Sequence, residues 1–441
     1  MSLSKRLNKK NKNEEEIKKE NTKDPHLELK STLQNQVIEE LTIDLKDVGE
    51  DNEELKKEIE DIIKDYLEEN SLAITRNDRN KILSEILDEI IGFGPITPLL
   101  NDSDVSEVMV NGPDSIYVER NGKLVLSDVK FKDDNHVLHV IEKIVAPLGR
   151  RIDESSPMVD ARLPNGSRVN AIIPPLALNG PTITIRKFSE DPFKVSDLIG
   201  FKTLNSKMAK LLKLCVEGRL NVIVSGGTGS GKTTTLNVLS SFIPNDERIV
   251  TIEDAAELQM HQDHVVRLET RPPNIEGKGE INIRDLVKNS LRMRPDRIVV
   301  GEVRSGEAID MLQAMNTGHD GSLTTGHANS TRDMLSRLET MVLMAGMELP
   351  IRAIREQITS AVDVIVQQSR LRDGSRKITS IAEVQGLEGD VIVLQDIYKF
   401  EHNGYDDRGK VKGDFKYTGI KPKFLDKLKG RGVNIPPNIL E

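Results

Sequence analysis

The segment Asn221–Asn237, NVIVSGGTGSGKTTTLN, constrains this chain more than any other stretch of it. Its core, Gly226–Thr233, fits the pattern G-x-x-x-x-G-K-[ST], in which an apolar strand runs into a glycine-rich turn and the turn opens a helix. Glycines let successive backbone N–H groups point inward at phosphate oxygens, where a β-carbon would obstruct them. Lys232 adds a compact positive charge near the β- and γ-phosphates, and the Thr233 hydroxyl is placed to ligate Mg2+. The helix that starts there turns its positive end toward the anion. ATP and Mg2+ are therefore the expected ligands. The residues expected around the phosphates are Gly227, Thr228, Gly229, Ser230, Gly231, Lys232, Thr233 and Thr234.

The rest of the chain is read around that cradle. Beyond Phe201 the short apolar runs NVIVS, RIVTI, HVVRL, RIVVG and SLTTG alternate with helical stretches. This is the layout of an α/β domain with a mostly parallel sheet and helices on both faces. Upstream the period changes. SIYVERNGKLVLS alternates on both sides of Asn121-Gly122, and ARLPNGSRVNAII does so around Pro164-Asn165-Gly166; both predict hairpins. A smaller α+β domain ending near TITIRKF follows. Before it, Leu55, Ile59, Ile62, Ile63, Tyr66 and Leu67 recur at helical spacing, and a second helix ends at Gly92. The predicted boundaries are a charged, disordered tail over 1–50, a helical segment over 51–92, the α+β domain over 93–188, and a linker over 189–202. The phosphate-binding domain then covers 203–441, with a C-terminal extension from about residue 373.

Composition removes several classes. The single Cys215 excludes an internal disulfide and a multi-cysteine zinc module, and suits a core position in a reducing cytoplasm. No stretch approaches the roughly twenty apolar residues that span a bilayer. The N terminus lacks the apolar segment of a secretory signal, so membrane contact is expected to be peripheral. A formal net charge of −9 and only 3% aromatic residues argue against a broad nucleic-acid surface, and no specific nucleic-acid partner is expected.

Three polar clusters converge on the question of what the nucleotide is for. In IVTIEDAAEL an apolar strand delivers Glu253 and Asp254 at its end, where a carboxylate can orient and deprotonate water. In RMRPDRIVVGEVR another strand ends in Glu302, the layout of an acid that holds a metal's water shell. Gly301 stands where an Asp often does, and spacing alone leaves open which acid is nearer the water and which nearer Mg2+. In GHDGSLTTGHANS, His319 and His327 are too far apart and too isolated for a metal pair. An imidazole at the strand end suits sensing of the γ-phosphate better. His261 and His264 read as surface residues. Neither the N/T-K-x-D base-reading motif of a guanine switch nor an LSGGQ-type transporter signature occurs.

Four clusters in this order resemble the secretion ATPase superfamily that drives type II and type IV secretion and type IV pili. GGTGSGKTT resembles its Walker A box, TIEDAAEL its Asp box, RPDRIVVGEVR its Walker B box and GHDGSLTTGHANS its His box. The resemblance extends upstream to GFGPITPLL and DVSEVMVNGPDSIYVERNGK and downstream to EVQGLEGDVIVLQDIYKF. Those flanks look most like the CpaF/TadA branch, which powers tight-adherence (Flp-type) pilus assembly. The resemblance implies a RecA-like ATPase domain behind an N-terminal α+β domain, a homo-hexamer, and an integral inner-membrane platform protein as partner. It implies a cytoplasmic location at the membrane's inner face. It further implies Glu253 as general base, Glu302 as the acid that holds Mg2+ through water, and Arg162, Arg168 and Arg186 as phosphate ligands, with Arg294 a further candidate. A conjugation-type secretion ATPase, a DNA-acting hexameric motor or helicase, and a regulatory nucleotide-binding scaffold are the rival readings.

Overall fold

The computed structural model describes residues 26–41, 53–70, 74–120, 122–188, 192–273, 277–436 and 438–440. The chain divides into two compact units, Met1–Phe188 and Ser189–Glu441.

The first unit opens with three helices, α1 (Leu27–Glu40), α2 (Glu53–Glu69) and α3 (Arg76–Ile90). Leu33 and Val37 on α1, Leu55, Ile59, Ile63 and Leu67 on α2, and Ile82, Ile86 and Ile90 on α3 bury into one cluster. Their spacing of about four residues puts each set on one helical face. Helix α1 corrects the disordered tail expected over 1–50. Leu29, Leu33, Val37 and Leu41, each one turn from the next, give the segment an apolar edge that packs once α2 and α3 lie beside it. Residues 1–25 and 42–52 lie outside the described residues.

A short helix α4 (Thr97–Asn101) leads into a six-stranded sheet. Its strands are β1 (Val105–Asn111), β2 (Ile116–Arg120), β3 (Lys123–Leu126), β4 (Met158–Arg162), β5 (Arg168–Ile172) and β6 (Thr182–Arg186), in the order β3-β2-β1-β6-β5-β4. Every pairing is antiparallel, and the two predicted hairpins are β2–β3 and β4–β5. Helix α5 (Asp134–Val145), which the sequence reading passed over, supplies Val137, Val140, Ile141 and Ile144 to the core under the central strands. Asp133 starts it by accepting a hydrogen bond from the His136 amide at 2.9 Å.

The second unit carries the expected RecA-like architecture. Its helices are α6 (Val195–Gly200), α7 (Ser206–Glu217), α8 (Lys232–Ser240), α9 (Ile283–Ser290), α10 (Glu307–Asn316), α11 (Thr331–Met344), α12 (Ile351–Ala361) and α13 (Phe424–Gly430). Its strands are β7 (Val222–Gly226), β8 (Ile249–Glu253), β9 (Val265–Glu269), β10 (Arg297–Val303), β11 (Leu323–Gly326), β12 (Val364–Arg370), β13 (Arg376–Glu388), β14 (Val391–Tyr405) and β15 (Val411–Tyr417). They form one sheet in the order β15-β14-β13-β12-β7-β11-β10-β8-β9. The run from β12 to β9 is parallel, and β13–β15 extend it antiparallel.

Alternation along the parallel strands builds two cores. Val222, Val224, Val364 and Val366 face one cluster, with α7, α8 and α13; Ile223, Ile252, Val300 and Ile365 face the other, with α9 to α12. Strands buried on both faces read as continuous apolar runs, as β7, β8 and β11 do; all five predicted strands are present, β9 as a partly exposed edge strand. Helix α6 lies inside the stretch predicted as a linker. Its Leu198 belongs to the first core beside Leu204 and Met208, so only the part before it lacks core contacts among the described residues. Cys215 is buried in the same core, and burial pushes its thiol far above the usual range.

Candidate functional site

The phosphate loop is built as its sequence requires. Strand β7 is buried along its whole length, and the loop leaves it between β12 and β11. Gly229 and Gly231 hold φ of 69° and 92°, a region that side-chain-bearing residues avoid. A β-carbon on Gly226 would stand 2.3 Å from the Gln368 carbonyl oxygen, so this position also excludes any larger residue. Two observations inside the loop fit a polyanion. The Ser230 hydroxyl is buried without a hydrogen-bond partner, and Lys232 is only 8% exposed although it carries a charge. Its ammonium donates to the Gly227 carbonyl at 3.1 Å. Burial pulls the Lys232 pKa down, and Glu302 opposes that shift. A phosphate would compensate the buried cation and take up the orphaned hydroxyl.

A chain of charged groups runs from the loop to the ends of β8 and β10. His327, just past β11, has Nε2 3.3 Å from Lys232 Nζ and 2.8 Å from Glu302 Oε1. Accepting from lysine and donating to glutamate need opposite states of that one nitrogen, so the ring serves one partner at a time. Burial lowers the His327 pKa, while Glu302 pulls the other way. The other oxygen of Glu302 is held by Arg304, whose Nη2 and Nε lie 2.6 and 2.8 Å away. Arg304 Nη1 reaches Asp254 at 3.2 Å. Sequence reading brought Lys232, His327 and Glu302 to one place, and so they stand; it did not single out Arg304, although the residue lies within the quoted GEVR.

Glu253 is placed differently. It is 3% exposed, and its Oε2 accepts from the backbone amides of Glu257 and Leu258 at 2.8 and 3.1 Å. The carboxylate therefore anchors the loop that follows β8. The same packing accounts for Gly301: a β-carbon there would stand 2.8 Å from Glu253 Cγ. An Asp at 301 has no room, because Glu253 already fills the space from the neighbouring strand.

The three arginines expected to reach phosphate belong to the first unit. They stand directly opposite one another across its sheet: Arg162 faces Arg168, and Arg168 faces Arg186. Arg186 in turn faces Glu107, with Nε 3.9 Å from Oε1. Arg294 lies on an exposed turn at φ 53°, ahead of β10. His261 and His264 are exposed, as expected. No group of three or more His, Cys, Asp or Glu able to hold a metal ion occurs among the described residues, and no helix among them is long and apolar enough to cross a membrane.

Comparison with known proteins agrees with the four boxes. The family model described as "Type II/IV secretion system protein" matches residues 89–405, and that of the "Type II secretion system protein E, N-terminal domain" matches 26–91. A putative conjugal transfer protein of Mycobacterium tuberculosis is 37% identical, over 69% of this chain and 87% of its own. The type IV secretion system protein VirB11 of Bartonella henselae is 30% identical, over 68% of this chain and 96% of its own. Among solved structures, the VirB11 ATPase of the Brucella suis type IV secretion system, in complex with sulphate, is 30% identical with a TM-score of 0.36, over 66% of this chain and 95% of its own.

Proposed function

The chain belongs to the type II/IV secretion system protein family, and from that premise we propose that it is an ATP-hydrolysing motor of the conjugation or type IV secretion kind. The observation that carries the proposal is the buried Lys232 ammonium, linked through His327 to Glu302 at the mouth of a glycine-shaped cradle. The flanking stretches resemble the CpaF/TadA branch, which made Flp-type pilus assembly the first expectation. Relatives named for conjugal transfer and VirB11 favour the transfer reading over it.

In this reading Lys232 and the amides of Gly229–Thr234 bind the β- and γ-phosphates. Thr233 and, through water, Glu302 would hold Mg2+, which neutralises charge on the phosphate oxygens. Glu253 takes a proton from water as the water oxygen bonds to the γ-phosphorus and the bridging P–O bond to the β-phosphate breaks. Two backbone amides occupy its carboxylate, so the loop after β8 has to loosen for Glu253 to act. His327 reports the γ-phosphate by exchanging its partner between Lys232 and Glu302. Arg162, Arg168 and Arg186 are phosphate ligands on the resemblance to the family. Rings of six subunits at the inner face of the membrane, working on an integral platform protein, complete the proposal.

The test is a Lys232→Ala allele in the native host. Loss of plasmid or protein transfer with pili intact supports the transfer reading. Loss of pili with transfer intact returns the function to pilus assembly.

A further inference from the structure

The outer side of the phosphate loop is lined by a hairpin that none of the four sequence boxes covers. β12 runs parallel to β7 with Gln368 beside Gly226, and the β12–β13 hairpin ends in the register pair Arg370–Arg376. Arg376 Nε donates to the Gly229 carbonyl at 3.0 Å. Its Cδ lies 3.1 Å from where a β-carbon on Gly231 would stand, and Arg370 Nη1 lies 3.6 Å from where one on Gly229 would stand. Gln368 Oε1 accepts from the Thr235 hydroxyl at 2.6 Å, which ties the same wall to α8. The two guanidiniums thus flank the two glycines whose positive φ shapes the cradle.

The hairpin that presents them is anchored. Asp373 Oδ1 accepts from the Ser375 amide at 3.0 Å, and Asp373 Oδ2 accepts from the Val411 amide of β15 at 2.8 Å. The peptide geometry of the loop shows what Arg376 holds in place. In a trans peptide the carbonyl and the following N–H point in opposite directions. Holding the Gly229 carbonyl outward therefore turns the Ser230 N–H inward, where it makes only a long 3.3 Å bond to the Gly227 carbonyl.

We propose that Arg370 and Arg376 are nucleotide-site residues contributed by the C-terminal hairpin. Arg376 is a positioning residue that fixes the Gly229–Ser230 peptide with its N–H toward the phosphates. Arg370 adds positive charge beside the same loop. The inference rests on the reading that the cradle binds a nucleotide.

The experiment is titration of the full-length chain and its variants with ADP by calorimetry, at low and at physiological salt, together with melting curves with and without ADP. Arg376→Ala is expected to weaken ADP binding about tenfold, as loss of a charge-assisted contact does. Arg376→Lys should recover part of that loss. Arg370→Ala should weaken binding about threefold and flatten its salt dependence. Melting temperatures without ADP should stay within about 2 °C of wild type, and the ADP-induced rise should shrink. Lys232→Ala separates the two levels. If it abolishes binding while Arg376→Ala binds ADP within twofold of wild type, the hairpin inference is wrong and the nucleotide reading stands. If Lys232→Ala itself binds like wild type, both fall. An Arg376→Ala protein whose melting point without ADP drops as far as its ADP-bound one also overturns the inference, since its role is then only structural.

Discussion

The cations around Lys232 and Arg297 in the second unit and the arginine row of the first are placed in contrasting ways. In Ser189–Glu441, Lys232, Arg297 and Arg304 are each met by named acids or carbonyls at hydrogen-bonding or near-hydrogen-bonding distance. In Met1–Phe188 the arginines Arg162, Arg168 and Arg186 stand in cross-strand register, and Arg186, its side chain 62% exposed, has Nε 3.9 Å from Glu107 Oε1. The first arrangement is organised before any ligand arrives. A site whose cost of ordering is met by folding binds and reacts faster than one assembled on demand. The contrast supports the proposal that the cradle around Lys232 holds the phosphates.

The largest effect that could break the comparison is at Arg297. Its guanidinium is fully buried, paired with Glu247, and donates to the carbonyls of Gly321 and Val216 at 3.2 and 2.9 Å. Burial lowers its pKa, and Glu247 opposes the shift. Arg297→Ala leaves Glu247 with Arg219 as its remaining cation, 3.1 Å away, and empties the buried guanidinium's place; it should cost about 3 kcal/mol, read from urea unfolding followed by circular dichroism. A cost under about 1 kcal/mol would mean that the interior charges of the second unit are not organised by folding.

Gly301 comes next. Gly301→Ala drives a methyl to within 2.8 Å of Glu253 Cγ. The expected result is a loss of about 1–3 kcal/mol, together with a drop in ATP turnover larger than the drop in ADP affinity, because the displaced group is the proposed base and not a phosphate ligand. Turnover equal to wild type would separate Glu253 from the chemistry.

In the first unit, Arg168→Ala, at an exposed strand position, should leave the melting temperature within about 2 °C of wild type. ATP turnover should fall about tenfold. A stability loss above about 1 kcal/mol would make the row a structural feature after all.

The smallest effect concerns Asp88 on α3. Burial first, then the neighbouring Glu89 and Glu85, raise its pKa from 3.8 to about 6. A carboxyl raised on folding stabilises the native chain fully below 3.8, and that contribution is lost as pH rises through about 6. Asp88→Asn should therefore melt about 2 °C higher than wild type at pH 7, with the difference gone near pH 4. A constant difference across that range would contradict the assignment.

What the sequence showed and hid follows the same physics. The parallel strands announced themselves, because burial on both faces leaves apolar runs such as RIVVG. The hairpins were legible through Asn-Gly and Pro-Asn-Gly turns. Helix α1 was hidden because Leu33 and Val37 become a core only when α2 and α3 lie beside them. Helix α5 was missed although Val137, Val140, Ile141 and Ile144 keep helical spacing; the reading there ran on from one hairpin to the next. At the site, motif spacing found Lys232, Glu302 and His327. It found neither the space that Glu253 takes from residue 301 nor the Arg370–Arg376 wall, since both depend on which strand lies beside which. Neighbouring strands can be far apart along the chain: Gln368 meets Gly226 only through the parallel pairing of β12 with β7.

The central claim is that the cradle around Lys232 cleaves ATP. Steady-state phosphate release by the purified protein with Mg2+, measured for wild type and Lys232→Ala side by side, tests it most directly. The account predicts multiple turnovers for wild type and at least about a hundredfold less for the variant. Equal rates for the two proteins, or no release from wild type with or without membrane lipid, would contradict it.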